Sequence, residues 1–504
     1  MMPAGGAVRS FERSTRRAAF ALAVLATSVT ALGGCGGSAL FVEPPAPSAE
    51  AWSYVFQLDE GLGRLEARVC FDGAPPTELR PIDASGRRYL RGAWGPVGSE
   101  EVSLVQHEPE RIVTAELPSD ACIRYVVDLE AAARDRGGIH GAYRIGDDLV
   151  ASTAVWLWAP RHRDPNAQVS ARFELPHGIR VSPLWARRGG RFRLDERAFQ
   201  MTAYAAFGRF DTIGVGVPGA CIRVSVLGEE RIEMGAPGVA RAFEGSAVAA
   251  SMLFGRFPSR DVGVLAVPTP FSSTSPFGIV GRGTMPTVAI LVGENASEER
   301  LMGAWVPVHE FSHLAAPYVD RDDAWFSEGL ATYYQEVLRA RGSLQTPEDA
   351  WTHLDDGFRQ GAREGTGRSL AEESLHMRET AAYRRVYWAG AAVALIADVR
   401  MRRASRGRDS LDRALERLNG EYGALPEPLA ARDALTFVGG PWREEAERAL
   451  SAGDFPDLRE TYVALGIERN EWGGVQLSNE ARAARLRGAI MEPRADLAAV
   501  PRCR

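Results

Sequence analysis

A short stretch in the second half of the chain combines residue types that can bind and use a transition metal. The sequence VHEFSHLAAPYVDRDDAWFSEGLATYY, residues 308–334, places His309 and His313 four residues apart, and Glu310 follows the first histidine directly. Residues four apart lie one turn apart on the same face of an α-helix, so both imidazoles can reach one ion. We therefore predict that this segment holds a single zinc ion.

Two glutamates in the segment have different predicted roles. Glu310 is rotated away from the metal, so it can act as general base and general acid on the water that zinc activates. Glu328 opens the next helix and is predicted as the third ligand, since a helix holds a carboxylate more rigidly than a loop does. Asp320 and Asp323, in the intervening polar turn, are the competing candidates. Thr332, one turn after Glu328, either supports that carboxylate or is an ordinary helix hydroxyl.

The histidine motif has a plain alternative, which is a solvated helix face that carries two histidines without a metal. A chance H-E-x-x-H is expected in roughly one of a hundred sequences with this many histidines. Isolated histidines carry little information about metal binding, and we predict surface or hydrogen-bonded positions for the others. These are His107, His140, His162, His177, His353 and His376.

The elements that would position this site change character along the chain. Residues 51–190 contain short alternating runs such as RLEARVCFDG, CIRYVVDLE and ASTAVWLWAP, which predict an antiparallel β domain that closes with a hairpin in ELPHGIRVSPLW. Residues 191–300 mix strands (IRVSVLGEE, DVGVLAVP, TVAILVG) with one helix. Residues 301–504 are predominantly helical. The predicted fold class is α+β, with a front half of strands and a back half of helices.

Several helix boundaries can be predicted in the back half. The helix that carries the histidines is expected to stop at Pro317, with Pro307 kinking it or opening its second part. The next helix is expected to end at Gly342, and Thr346 is expected to begin another. One buried face is predicted in DSLDRALERLNG, from Leu411, Ala414, Leu415 and Leu418.

The N-terminus predicts export. Residues 1–34 combine an arginine-rich start, a short apolar run and the sequence LGGC, which resembles a bacterial lipoprotein signal with Cys35 as the acylated residue. A plain signal peptide is the alternative. Residues 35–50 are rich in proline and small residues and predict a flexible tether. We expect an exported lipoprotein anchored to a bacterial membrane, on the periplasmic side or the outer surface.

The net charge restricts the class of partner, and the cysteines allow predictions about disulfides. A net charge of -6 without a basic stripe argues against nucleic acid as a partner. An oxidising compartment permits disulfides among the other cysteines. Cys70 with Cys122 and Cys221 with Cys503 is the first of three possible pairings. The predicted partner is a peptide or protein substrate, and the oligomeric state stays undetermined.

The motifs together resemble a known family. HEFSH followed by WFSEGLATYY is similar to the gluzincin zinc metallopeptidases, most closely to the glycyl aminopeptidase family and more distantly to the aminopeptidase N family. The later stretch YRRVYWAGAAVALIADVRMRRASRGRDSLDRAL adds to this resemblance. It implies a thermolysin-like catalytic domain formed by residues 191–504, with a β lobe and a helical lobe. It also implies that Tyr387 stabilises the oxyanion, with Tyr383 as the alternative.

The chain departs from this family in the residues expected to hold a free amino terminus. Related aminopeptidases carry a glutamate in a glycine-rich edge strand, whereas the corresponding stretch GRGTMPTVAIL has no acid from Gly281 to Met285. A substrate could still add as a strand along TVAIL. Ala389 stands where the family usually has lysine. The sequence thus predicts a zinc metallopeptidase, aminopeptidase-like, with an endopeptidase or a non-catalytic surface binding protein of the same fold as alternatives.

Overall fold

The structure is a computed structural model that describes residues 51–105, 110–135, 141–164, 166–270, 272, 274–470 and 474–503. The predicted signal segment, the anchor residue Cys35 and the tether lie outside the described residues, as do His107 and His140. Within the described ranges, no helix has both the length and the apolar character required to cross a membrane.

The first part of the chain is built from short strands with a few helical turns. The strands are β1 Ala51–Leu58, β2 Arg64–Asp72, β3 Glu78–Pro81, β4 Leu90–Val97, β5 Glu100–Ser103, β6 Ile112–Val113, β7 Cys122–Asp128, β8 Ala142–Ile145, β9 Asp148–Ser152, β10 Trp158–Pro160, β11 Gln168–Glu174, β12 Arg180–Val181, β13 Arg187–Arg188, β14 Arg191–Leu194 and β15 Tyr204–Gly208. The helices are α1 Leu129–Arg134, α2 Thr153–Trp156 and α3 Glu196–Gln200.

The largest sheet has the strand order β13-β14-β11-β1-β2-β7-β4-β5. Alternate residues of β2 are buried, as the period of a strand with one face on a core requires. The predicted antiparallel pairing holds for β1 with β2, but β1 and β11 run parallel. The sheet is therefore mixed, because the chain returns to β1 from a distant segment rather than through a hairpin.

Two local predictions in this part are wrong. ASTAVWLWAP is strand β9, helix α2 and strand β10, because the side chain of Ser152 accepts a hydrogen bond from the backbone N–H of Ala154 and starts a helical turn. The predicted hairpin in ELPHGIRVSPLW does not form, since β12 pairs with the distant strand β15. Both errors come from partners that alternation of apolar residues does not specify.

A five-stranded sheet follows. Its members are β16 Thr212–Val217, β17 Ala220–Val226, β18 Asp261–Thr269, β19 Gly278–Gly281 and β20 Thr287–Gly293, in the order β16-β17-β18-β20-β19. Helix α4, Gly235–Ser251, packs on one face, where its Val239 and Phe243 share a buried core with Val264 and Ile290. Because β20 lies between β18 and β19, the edge strand next to it is β19.

The rest of the chain is mostly helical. The helices are α5 Glu298–Gly303, α6 Trp305–His313, α7 Ala324–Arg341, α8 Pro347–Arg363, α9 Leu370–Leu375, α10 Met377–Thr380, α11 Tyr383–Ser405, α12 Leu411–Tyr422, α13 Ala431–Val438, α14 Gly440–Ser451, α15 Arg459–Leu465 and α16 Ala481–Met491. A small hairpin, β21 Ile467–Arg469 with β22 Val475–Leu477, precedes α16.

The helix boundaries follow the predicted signals in most places. Gly342 ends α7 and Thr346 starts α8, whose first helical residue is a proline, and the predicted face of α12 is buried. The histidine helix differs from its prediction. Extended Ala304 separates α5 from α6, Pro307 lies in the first turn of α6, and α6 ends at His313 rather than at Pro317. Proline is tolerated there because the first-turn N–H groups lack intrahelical partners.

Disulfides join both predicted cysteine pairs, Cys70–Cys122 and Cys221–Cys503. The first links neighbouring strands β2 and β7. The second attaches the C-terminal segment to β17, and a backbone hydrogen bond from the N–H of Gly219 to the carbonyl of Ala499 holds the same segment in place.

Candidate metal centre

Two antiparallel helices bring the predicted ligands together. His309 and His313 lie one turn apart on α6, and Glu328 lies in the first turns of α7. Glu328 Oε2 is 3.3 Å from His309 Nε2 and 3.6 Å from His313 Nε2. Ligand atoms on a tetrahedral zinc ion are separated by about 3.4 Å, given zinc–ligand distances of about 2.0–2.2 Å. The residues present therefore fit zinc, both in donor chemistry and in spacing.

The charges of this cluster support one another. Burial would raise the pKa of Glu328, but the two histidines hold it well below its usual range. Burial would lower the pKa of His309, whereas its hydrogen bond to Glu328 and the charge of Glu310 raise it. Desolvation of this kind is tolerated when opposite charges lie within a few ångströms. The structure thus places a buried carboxylate beside two imidazoles, a set of donors that a divalent metal can bind directly.

Glu310 lies beside the ligands rather than among them. It is buried, and burial raises its pKa, although the neighbouring histidines oppose this. Its side chain faces β19, where a Cβ added at Gly278 would overlap the Cγ of Glu310. Glycine at this position therefore leaves room for the carboxylate against the edge of the sheet.

The identity of the edge strand corrects one prediction. TVAIL is part of β20, which pairs with β18 on one side and β19 on the other, so its backbone is not available to a substrate. The exposed edge belongs to β19, whose sequence Gly278–Gly281 reads GIVG and contains no acid. The sequence signal misled because strand order within a sheet is not encoded by local alternation.

Tyr387 approaches the ligands from α11. Its ring lies 6.4 Å from the ring of His309, and the two rings are stacked with an interplanar angle of 15°. Burial and the neighbouring carboxylates raise its pKa, so its phenol carries a proton at neutral pH. Tyr383, the alternative, is 43% exposed and contacts the ring of Tyr387 instead. Of the two candidates, the structure places Tyr387 at the ligand cluster.

A close helix crossing explains the position of Tyr387. Helices α7 and α11 touch at Gly329 and Gly390, and a Cβ at Gly390 would overlap the backbone of Trp325 and Gly329. Glycines at a helix contact let two backbones approach closely. Because Gly329 follows Glu328 directly and Gly390 lies one turn after Tyr387, this contact sets the distance between carboxylate and phenol.

The competing ligand candidates are engaged elsewhere. Asp320 accepts a hydrogen bond from the backbone N–H of Asp322, and Asp323 accepts one from the N–H of Ala431. Thr332 is buried, and its hydroxyl has no hydrogen-bond partner among the described residues. Neither aspartate belongs to the described cluster of ligand atoms, and Thr332 does not contact Glu328 through a hydrogen bond.

The sequence did not identify two residues that contact the histidines. Gln335 Oε1 lies 2.8 Å from His309 Nδ1. Arg282 donates hydrogen bonds to the backbone carbonyls of His313 and Ala316 at the end of α6. Gln335 stands seven residues after Glu328, hence on the same helix face, which is a usable signal. Arg282 lies in a loop that precedes α6 by more than one element, so no spacing rule connects it to His313.

Comparisons with known proteins agree on the fold. No protein-family model matches the chain, and no curated protein matches it. An aminopeptidase N family protein from Idiomarina loihiensis has a similar structure, with a TM-score of 0.64 and 14% identity over 85% of this chain and 82% of its own. An M1 zinc metallopeptidase from Deinococcus radiodurans has a TM-score of 0.51 and 16% identity over 81% of this chain and 95% of its own. This chain therefore has the mixed α/β fold of two-domain M1 zinc metallopeptidases.

Proposed function

We propose that this protein is a zinc-dependent metallopeptidase with a thermolysin-like catalytic domain. The observation that carries the proposal is the convergence of His309, His313 and Glu328, whose ligand atoms lie within 4.8 Å of one another. This set is typical of catalytic zinc, which keeps one coordination position for water or substrate. When bound there, zinc supplies Lewis acidity and makes a water molecule nucleophilic near neutral pH.

The residues of the chain supply the other parts of peptide hydrolysis. Glu310 accepts the proton of the attacking water and delivers it to the leaving amine, a role that suits a buried carboxylate with a raised pKa. Tyr387 donates a hydrogen bond to the oxyanion that forms on the peptide carbonyl. The outer edge of β19 pairs with no other strand among the described residues, so an extended peptide can add there as a further strand.

The proposed activity is aminopeptidase-like, by analogy with proteins of similar fold. A variant of the D. radiodurans enzyme, with a TM-score of 0.50 to this chain, was solved with a Tyr-Ser-Ala substrate. One observation in this chain favours an endopeptidase instead. In this chain, the edge strand Gly278–Gly281 and residues 282–285 contain no carboxylate that could pair with a free amino group. A peptide that continues past this strand leaves no buried charge unpaired, so internal cleavage is compatible with the site.

We also propose that the protein acts outside the cytoplasm. Support comes from the signal-like residues 1–34, with Cys35 as the acylated residue that anchors the chain to a bacterial membrane. The disulfides Cys70–Cys122 and Cys221–Cys503 are compatible with an oxidising compartment.

The test is the substitution Glu310→Gln. It keeps the volume and the metal ligands but removes the proton acceptor, so we expect kcat to fall by about 10²- to 10⁴-fold with bound zinc unchanged. Glu299→Gln, at an exposed position of α5, is the matched control and should keep full activity. Full activity in Glu310→Gln would refute the mechanism, and zinc binding without turnover in the wild type would favour a binding protein.

The choice between exopeptidase and endopeptidase needs a second measurement. Hydrolysis of a free peptide is compared with that of the same peptide acetylated at its amino terminus. An aminopeptidase cleaves only the free peptide. Cleavage of the acetylated peptide at comparable rates, with loss again in Glu310→Gln, identifies an endopeptidase.

A further inference from the structure

Gln335 connects the first predicted ligand to a buried polar cluster on the far side of α7. Its side chain is 6% exposed. The amide oxygen Oε1 lies 2.8 Å from His309 Nδ1, and the amide nitrogen Nε2 donates to Glu336 Oε1 over 2.9 Å. A glutamine amide has one accepting end and one donating end, so the two contacts constrain each other.

Glu336 determines which end of the amide faces the histidine. It is 4% exposed, and its other oxygen accepts hydrogen bonds from Arg339 and Gln345, each over 2.9 Å. Burial would raise the pKa of Glu336, but its hydrogen bonds and the charge of Arg339 lower it, so the group is ionised at neutral pH. An ionised carboxylate only accepts hydrogen bonds, and it therefore orients the amide nitrogen of Gln335 towards itself.

The orientation of the Gln335 amide then determines which ring nitrogen of His309 carries the proton. With Nε2 of Gln335 facing Glu336, only the oxygen can face His309, so Nδ1 of the imidazole must donate a proton. An imidazole that keeps its proton on Nδ1 can bind a metal only through Nε2, the nitrogen that faces Glu328. A metal ligand needs a lone pair on the coordinating nitrogen. When the proton is already held on Nδ1, metal binding does not have to include the free energy of moving it there.

We propose that Gln335 and Glu336 are positioning residues that fix the tautomer of His309 and thereby raise the zinc affinity of the site. The proposal rests on the proposed function in one respect, namely that His309 binds zinc. It concerns the hydrogen bonding of this chain's own residues, and it is testable in zinc-free protein. A direct role of Gln335 in catalysis is not implied, because the structure places it behind the imidazole, at Nδ1.

The first experiment compares zinc affinity in three variants of the full chain by competition with a chromophoric chelator. Gln335→Leu removes the acceptor and should weaken zinc binding by about 10- to 100-fold. The double substitution Gln335→Glu/Glu336→Gln keeps an acceptor at Nδ1 and a donor opposite it, and this variant should bind zinc within about threefold of the wild type. Glu336→Gln lets the amide of Gln335 take either orientation, so its zinc affinity should lie between those of the other two variants. Urea unfolding of each variant shows whether it is folded.

The second experiment reads the tautomer itself. Histidine labelled with ¹⁵N is observed by NMR in zinc-free protein, and the signal that is followed is the proton bound to Nδ1 of His309. The wild type and the double variant Gln335→Glu/Glu336→Gln should show a proton on Nδ1 of His309, whereas Gln335→Leu should show partial or complete loss of that proton. Substitution of His309 itself assigns the signal.

The outcomes separate this proposal from the proposed function. If folded Gln335→Leu binds zinc as tightly as the wild type, or if its tautomer is unchanged, the positioning role is refuted. If the wild type binds no zinc but shows the Nδ1 tautomer that Gln335→Leu loses, the hydrogen-bond relay stands and the metallopeptidase proposal fails. Weak zinc binding in Gln335→Leu, together with binding close to that of the wild type in Gln335→Glu/Glu336→Gln, supports both proposals.

Discussion

Arg282 is predicted to hold the end of the histidine helix in place. Its guanidinium donates to the carbonyl of Ala316 over 2.8 Å and to the carbonyl of His313, and its charge lies over the ring of Tyr318. A cation at a helix C-terminus also interacts favourably with the helix dipole. Burial lowers the pKa of Arg282 to about 10, so part of this stabilisation is offset by desolvation.

The substitution Arg282→Met removes both donors while keeping an unbranched apolar side chain. Two hydrogen bonds from a charged donor contribute about 3–6 kcal/mol, and desolvation of the guanidinium offsets roughly half of this. We therefore expect the free energy of unfolding to fall by about 2 kcal/mol, measured by urea denaturation of the metal-free protein. Zinc affinity should fall as well, because the backbone of His313 loses its anchor.

The matched control is Arg223→Met on β17. Arg223 forms an ion pair with Asp261 over 2.8 Å, and both side chains are partly exposed. Exposed ion pairs contribute about 0–1 kcal/mol, so this substitution should change stability little. The reasoning about Arg282 is refuted if Arg282→Met is no less stable than Arg223→Met, or if its zinc affinity equals that of the wild type.

Three further predictions follow from single contacts. Tyr387→Phe removes the oxyanion donor and should lower kcat by about 10²- to 10³-fold at unchanged zinc content, in steady-state kinetics with metal analysis. Cys503→Ser removes a disulfide between residues 282 positions apart and should lower the free energy of unfolding by as much as about 5 kcal/mol, measured by urea denaturation. Reduction of the same disulfide in the wild type should lower the free energy of unfolding by the same amount. The pKa of His353 is raised by its hydrogen bond to Glu336, so its stabilisation is present below about pH 6.5 and is lost as pH rises through the folded pKa. His353→Ala should therefore cost more stability at pH 5.5 than at pH 9, by less than about 1 kcal/mol, in parallel urea titrations.

Local patterns in the sequence predict the features that depend on a single helix, namely which residues share a face and where the helix begins and ends. The four-residue spacing of His309 and His313 places them on one helix face, and the structure shows both side chains next to Glu328. The caps at Thr346 and Gly342 lie at the predicted helix boundaries, because capping depends on residues a few positions away. The roles of the three side chains as zinc ligands stay predictions.

Contacts between distant segments were not predictable in this way. The resemblance predicts that a substrate adds along TVAIL, yet the edge strand is β19, because the order of strands in a sheet depends on how the chain crosses over. Arg282 reaches the end of α6 from a loop about thirty residues earlier, and no spacing rule links the two. Gln335 could have been suspected from its helical spacing, but its orientation depends on Glu336 and residues beyond.

The histidine helix owes its position to apolar packing on two sides. Phe311 and Leu314 belong to the core formed with the five-stranded sheet, whereas Val308 and Ala315 belong to the core of the helical part. The histidines lie on the opposite side of α6, where they contact residues of α7, so the two apolar contacts determine the direction in which both imidazoles leave the helix. A ligand set held by two cores needs little rearrangement when zinc binds. If zinc binds as proposed, it therefore stabilises the folded chain by mass action and does not organise it, unlike small domains whose folding depends on the metal.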